Sequence, residues 1–157
     1  IHNMRNEVRA FSSLYGGRVE FRFALVTYPR SDRDYEVNAD FVPFSSFESV
    51  LSGVRTNGGG AEPSYDVTQW VLDGTIPLAW RSGAIRVIVV ITDEEGQSYH
   101  SPRNTETTMC DAASGAEVIT FVTTGSARSS FDECGSWLSI HTAFHENLHS
   151  IIRDPCS

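Results

Sequence analysis

Apolar and polar positions change period several times along the chain, and each change marks an element. Ile1, Met4, Val8, Phe11 and Tyr15 recur at helical spacing, and Gly16-Gly17 closes the run, which predicts an opening amphipathic helix. Val19 to Tyr28 first alternates (Val19, Phe21, Phe23 against Glu20, Arg22), turns continuously apolar at Ala24-Leu25-Val26 and stops at Pro29, as a strand would. Tyr35, Val37, Ala39 and Phe41 alternate strictly with Glu36, Asn38 and Asp40, the period of an edge strand with one wet face, so the two runs predict a hairpin. Ser45 or Ser46 is placed to cap a short helix through Val54, Asn57-Gly58-Gly59-Gly60 predicts a loop, and Pro63 suits the first position of a helix carrying Tyr65, Trp70 and Val71 into a core. Ala84 to Thr92 is apolar nearly throughout, as expected of a central parallel strand covered on both faces. Ser101-Pro102 then opens a helix ending at Gly115, Ala116 to Val122 predicts a second buried strand, and Phe131 to Trp137 a short helix. Beyond these come a weak strand near Ile140 to Phe144 and a helix with Leu148, Ile151 and Ile152 on one face. The alternation from residue 84 onward predicts an α/β fold with a doubly wound, mostly parallel sheet, one antiparallel edge strand and helices on both faces.

Composition narrows the function classes. The chain has 157 residues, 40% of them hydrophobic and 20% charged, which predicts one globular domain over 1–157 and excludes whole-chain disorder. Its apolar runs are far shorter than the roughly 20 residues a membrane-spanning helix needs. A net charge of −8, with all twelve basic residues arginine, opposes any sequence-independent grip on a phosphate backbone, so nucleic acid is not an expected partner. Three cysteines, Cys110, Cys134 and Cys156, form neither a CxxC pair nor a zinc-ribbon spacing; one disulfide with one thiol left over is the natural arrangement and favours an oxidising compartment.

Candidate chemistry sits at strand ends. In an open parallel sheet ligands bind beyond the carboxyl ends of the strands. There Asp93, Glu94 and Glu95 follow Thr92, and their mutual repulsion favours a bound cation or a raised pKa, unless they are simply a solvated acidic turn. In Asn57-Gly58-Gly59-Gly60-Ala61-Glu62-Pro63 the glycines let backbone approach a ligand, while Glu62 at the mouth of a helix is either a ligand or a dipole-favoured cap. This is no P-loop, which would need a lysine. His145-Glu146-Asn147-Leu148-His149 reads HExxH, a zinc-peptidase spelling in which His145 and His149 share a helix face. A catalytic zinc needs a third protein ligand, and neither the extended motif nor a downstream Glu follows, so surface histidines are the preferred account. No Gly-x-Ser-x-Gly elbow supports serine catalysis.

The two acidic loops together carry a resemblance. Gly58 through Pro63, the helix Tyr65 to Leu72, and Trp80-Arg81-Ser82-Gly83-Ala84-Ile85-Arg86 leading into Val87 to Asp93 resemble a von Willebrand factor A domain, closest to the I-like domain of integrin β subunits and related microbial surface adhesins. The resemblance implies a metal-ion-dependent adhesion site in which Glu62 and Asp93 hold Mg²⁺ or Mn²⁺ directly or through water, and Glu94 and Ser98 line the rim. Asn57 matches a ligand of the family's neighbouring Ca²⁺ site, whose usual aspartate two residues on is Gly59 here. The remaining ligands of the family come from an Asp-x-Ser-x-Ser motif after its first strand. This sequence opens past that point, so that strand and loop are expected from residues outside it, from another chain or from a processed fragment, and two apolar strands would otherwise lack a neighbour. Cys110 and Cys134 are placed to bridge the helices flanking the last buried strand, the alternative being a buried thiol at either; the closeness of the family's termini implies an upstream partner for Cys156 unless it is a free thiol.

The expected function is a divalent-cation-dependent protein-binding module, non-enzymatic, extracellular or cell-surface, of the kind found in surface-displayed bacterial adhesins, whose protein ligand presents an acidic residue to the ion. Two alternatives stay open: a metal-free scaffold of the same fold, and a zinc metallopeptidase using the HENLH helix.

Overall fold

The computed structural model describes residues 2–15, 19–28, 35–55, 62–92, 94–116, 118–123 and 132–138. The opening helix α1 (His2–Tyr15) buries Val8 and packs on α2 (Phe44–Gly53), where Arg9 and Glu48 form an ion pair across the two helices. Between them lies the expected hairpin, β1 (Phe23–Thr27) antiparallel to β2 (Glu36–Val42). β1 starts later than its alternation predicts because Glu20 and Arg22 are drawn into a charged knot instead of a ladder: Arg22 reaches Glu20 at 2.6 Å and Arg81 reaches it at 2.8 Å. The hydrogen bond from Arg22, then that from Arg81, holds the Glu20 carboxyl below the usual glutamate range.

An extra residue in β2 between the Phe23–Val42 and Leu25–Ala39 pairs makes a bulge, with Phe41 at φ 41°. The bulge re-aims two side chains onto the segment that leads into the next strand. Phe41 meets the Trp80 ring at 4.6 Å, and the Asp40 carboxylate accepts from the Ala79 N–H at 3.0 Å.

β1 is half-buried along its whole length and packs on both faces, which explains its loss of alternation. Phe23 and Leu25 pack with Ala39, Phe47 and Leu51 under α2, Phe23 stacking on Phe47 at 5.0 Å. Val26 and the following Tyr28 pack instead with Val67, Val71 and Ile76 under α3 (Ser64–Asp73). α3 follows Pro63, as predicted, and ends at Gly74, whose φ of 82° is the left-handed conformation a helix terminus favours. Ile88 of β3 (Arg86–Ile91) joins the same cluster, so α3 covers both β1 and β3. Val90 of β3 then packs with Met109 of α4 (Glu106–Gly115), Tyr65 and Leu72.

β3 pairs in parallel with β4 (Val118–Thr123), and β4 in parallel with β5 (Gly135–Leu138). Three expectations change here. The run 84–92, expected at the centre, forms an outer strand of its three-stranded sheet, β4 taking the middle. The segment 131–137, expected as a short helix, supplies β5, because a parallel ladder with β4 satisfies its backbone groups better than an isolated turn of helix would. The helix expected from Ser101-Pro102 begins only at Glu106, where Thr105 and Thr108 form a reciprocal capping box.

The described strands make two sheets, β1–β2 and β3–β4–β5, and no ladder joins β1 to β3. These two strands nevertheless point in the same direction. Glu20 and Arg81, which precede them, meet at one end, and at the other the Tyr28 hydroxyl donates to the Ile91 carbonyl at 3.5 Å. A disulfide between Cys110 on α4 and Cys134 just before β5 confirms the expected bridge, its Cα atoms 5.4 Å apart. Among the described residues no helix is long and apolar enough to cross a membrane. Ile140 to Phe144, the final helix and Cys156 lie outside the described residues.

Candidate metal centre

The carboxyl end of β3 and the amino end of α3 meet at one rim of the fold. Glu62, two residues before α3, is half-buried there. Its Oε2 accepts a hydrogen bond of 2.8 Å from the Thr92 hydroxyl at the end of β3. Thr92 is buried and also receives the Glu94 N–H at 3.2 Å, which folds the chain tightly after the strand. Glu94 and Glu62 are linked through Gln97. The Gln97 side-chain amide donates to Glu94 Oε2 at 3.0 Å, while its Oε1 accepts from the Glu62 N–H at 3.5 Å and from the Tyr99 hydroxyl. The segments that carry Glu62 and Glu94 are thereby tied together, through Thr92 and through Gln97.

Ser98, expected at the rim, is buried, and its hydroxyl donates to Asp66 at 2.6 Å. Asp66 has no exposed surface. Its carboxylate accepts further bonds from the Tyr99 N–H at 2.7 Å, the His100 N–H at 3.2 Å and the Asn104 side-chain amide at 2.8 Å. Burial is the largest single influence on this group and raises its pKa, but the bonds from Ser98, Tyr99, Asn104 and His100 together outweigh it and hold the carboxyl below the ordinary aspartate range. Sequence reasoning passed over Asp66, Thr92 and Gln97. The available signal for Asp66 was an acidic residue beside Val67 and four residues before Trp70, on a helix otherwise turned to the core; the helix dipole accounts for its place in the first turn without revealing its partners.

The donors gathered at the rim are oxygens, carboxylate and hydroxyl, the chemistry of a hard divalent ion. Among the described residues no three His, Cys, Asp or Glu side chains converge closely enough to hold a metal unaided. Asp93, Asn57, His145 and His149 lie outside the described residues.

No protein-family model matches this sequence, and no curated protein matches it. Solved structures do. Proximal thread matrix protein 1 from the mussel byssus superposes with a TM-score of 0.62 over 98% of this chain at 14% identity. The fold is von Willebrand factor A-like. A structure of the same mussel protein with a zinc-occupied metal-ion-dependent adhesion motif matches at 15% identity and a TM-score of 0.62, and a second crystal form gives 0.60. This chain spans 39% of the length of those mussel chains.

Proposed function

We propose that this chain is a divalent-cation-dependent protein-binding module, with Glu62 and Asp93 as the ligands it contributes to the ion and Glu94 at the edge of the contact surface. The observation that carries this is the placement of the Glu62 carboxylate against the Thr92 hydroxyl, one residue before Asp93, at the carboxyl end of a parallel strand. A hard ion held there by oxygens keeps coordination positions for water or for a carboxylate from a partner protein, which is chemistry of binding rather than of catalysis. Asn57 belongs to a neighbouring Ca²⁺ position in the same reading. Mg²⁺ and Mn²⁺ suit the donor set; the zinc in the mussel structure keeps Zn²⁺ in the comparison.

Further ligands would arrive on a strand entering between β1 and β3. Two parallel strands under one helix without a ladder between them suit such an insertion, as does the side-chain oxygen of Gln69 on α3, buried with no hydrogen-bond partner among the described residues. A disulfide fits an extracellular or cell-surface location.

The test is a thermal melt of the polypeptide carrying this chain, in EDTA and then in millimolar Mg²⁺, Mn²⁺ or Zn²⁺. A native-state ligand at about 100 times its Kd adds about 2.7 kcal/mol. Mg²⁺ or Mn²⁺ is expected to raise the midpoint in the parent and not in Glu62→Ala or Asp93→Ala. An unchanged midpoint with every ion makes the chain a metal-free scaffold, and a rise with Zn²⁺ alone that His149→Ala abolishes moves the function to the HENLH helix.

A further inference from the structure

The loop after β3 has no regular structure from 94 to 105, yet it is fastened to α3 repeatedly. Tyr65 N–H donates to the Gln97 carbonyl at 3.2 Å, and Gln97 N–H donates to the Ser64 hydroxyl at 3.4 Å. Four donors from 98–104 then end on the one carboxylate of Asp66, and the Ser98 hydroxyl closes a second ring by accepting from the Asn104 N–H at 2.9 Å. One turn further along α3 the Trp70 ring meets His100 edge-on at 4.5 Å. Hydrogen bonds to a charged acceptor are the strong ones, and a fully buried carboxylate cannot exchange its donors for water without a large desolvation cost. Asp66 is therefore the firmest point at which the loop is tied down.

We propose that Asp66 is the positioning residue of the metal centre: without touching the ion, its carboxylate clamps 98–104 to the first turn of α3 and so sets the spacing between Glu62 on one side and Thr92 to Glu94 on the other. The inference rests on the metal-site reading above. Loss of the clamp leaves the covalent chain, the Thr92–Glu62 bond and the bonds of Gln97 to Ser64 and Tyr65 in place, but removes the anchor that follows Gln97, so that the residue tying the Glu94 carboxylate to the Glu62 N–H is held from one side only. A metal site depends on donor spacing to a few tenths of an ångström, so its affinity responds to that loosening before global stability does.

The test uses Asp66→Asn, which keeps the shape of the side chain but replaces one acceptor oxygen by a donor facing the loop's N–H groups. Mn²⁺ binding by calorimetry and amide exchange at Tyr99 and His100 are measured on the polypeptide carrying this chain, with β1 and β2 amides as the internal control. The expected result is Mn²⁺ binding weakened about tenfold or more, with faster exchange at Tyr99 and His100 and unchanged exchange in the hairpin. Ser98→Ala and Asn104→Ala each remove one of the four donors and are expected to fall between parent and Asp66→Asn, which keeps the comparison intact if that variant does not fold. Parental Mn²⁺ affinity in a folded Asp66→Asn, or in both single-donor variants with exchange accelerated, overturns the proposal. A parent that takes up no Mn²⁺ overturns the metal-site reading itself and removes the role assigned to Asp66 with it.

Discussion

Gly96→Ala tests the packing of the candidate centre with a single methyl group. Gly96 lies in the loop after β3, and a Cβ built on it would stand 2.2 Å from Tyr65 Cζ, 2.3 Å from Cε1 and 2.7 Å from the hydroxyl. Carbon atoms in contact sit about 3.5–4.0 Å apart, so the ring must retreat by more than about 1 Å. It has little room to do so, because Tyr65 packs against Val90 and against Met109, which is wholly buried. Tyr65 also lies in the first turn of α3, three residues after Glu62, so a displaced ring drags the mouth of the helix with it. An added methylene in a packed site costs about 1–3 kcal/mol. A domain of this size loses about 2–4 °C per kcal/mol, which puts the midpoint about 2–12 °C lower. The direction is diagnostic, because replacing glycine by alanine at an unstrained site ordinarily stabilises by about 0.4–1 kcal/mol through the unfolded chain. Urea unfolding of the parent, Gly96→Ala, Tyr65→Ala and the double variant closes a cycle. The double variant should be no less stable than Tyr65→Ala alone. Equal losses from Gly96→Ala in the presence and absence of the Tyr65 ring would refute the contact.

Three further outcomes follow from the same structure. The folded-state pKa of Asp66 lies below its unfolded value, so its contribution is complete above the unfolded pKa of about 3.9 and disappears as pH falls through the folded value; urea midpoints from pH 6 to pH 3 should fall more steeply in the parent than in Asp66→Asn, and parallel profiles would count against it. The Cys110–Cys134 bridge closes a loop with a sequence separation of 24, for which chain entropy gives about 3 kcal/mol, so Cys110→Ser with Cys134→Ser should lower stability by about that amount, read by the same unfolding. Leu51 is 1% exposed in the cluster under α2, and Leu51→Ala should cost about 2–5 kcal/mol while leaving any Mn²⁺ affinity of the folded protein unaltered, since the hairpin core lies away from the rim; a change in affinity without unfolding would link the two regions.

Periodicity alone determined most of the elements, because period 2 and period 3.6 are local properties of a chain that must bury one side of each element. The hairpin from Tyr35 back to Phe23, the helix after Pro63, the strands within 84–92 and 116–122 and the half-cystine pair were legible in that way or through the resemblance, although β3 is mostly half-buried rather than covered, with Ile91 exposed. Glu62 and Glu94 were legible as candidates because each stands at the end of an element where a parallel sheet collects ligands. What tertiary structure decided was everything that depends on a neighbour distant in sequence. Residues 135–138 are a strand because β4 offers them a ladder, a choice that a four-residue segment cannot make for itself. Residues 101–104 are not helical because Asn104 and its neighbours are held by a carboxylate on α3, and Ser98 is buried rather than at the rim for the same reason. Asp66 is the clearest case: in the sequence it is one acid among twenty, and only the folding of a loop across it gives that carboxylate four donors and a structural task. Local pattern reports how a segment can bury its own apolar side, whereas the partner of a buried charge is chosen by whichever backbone the fold delivers to it.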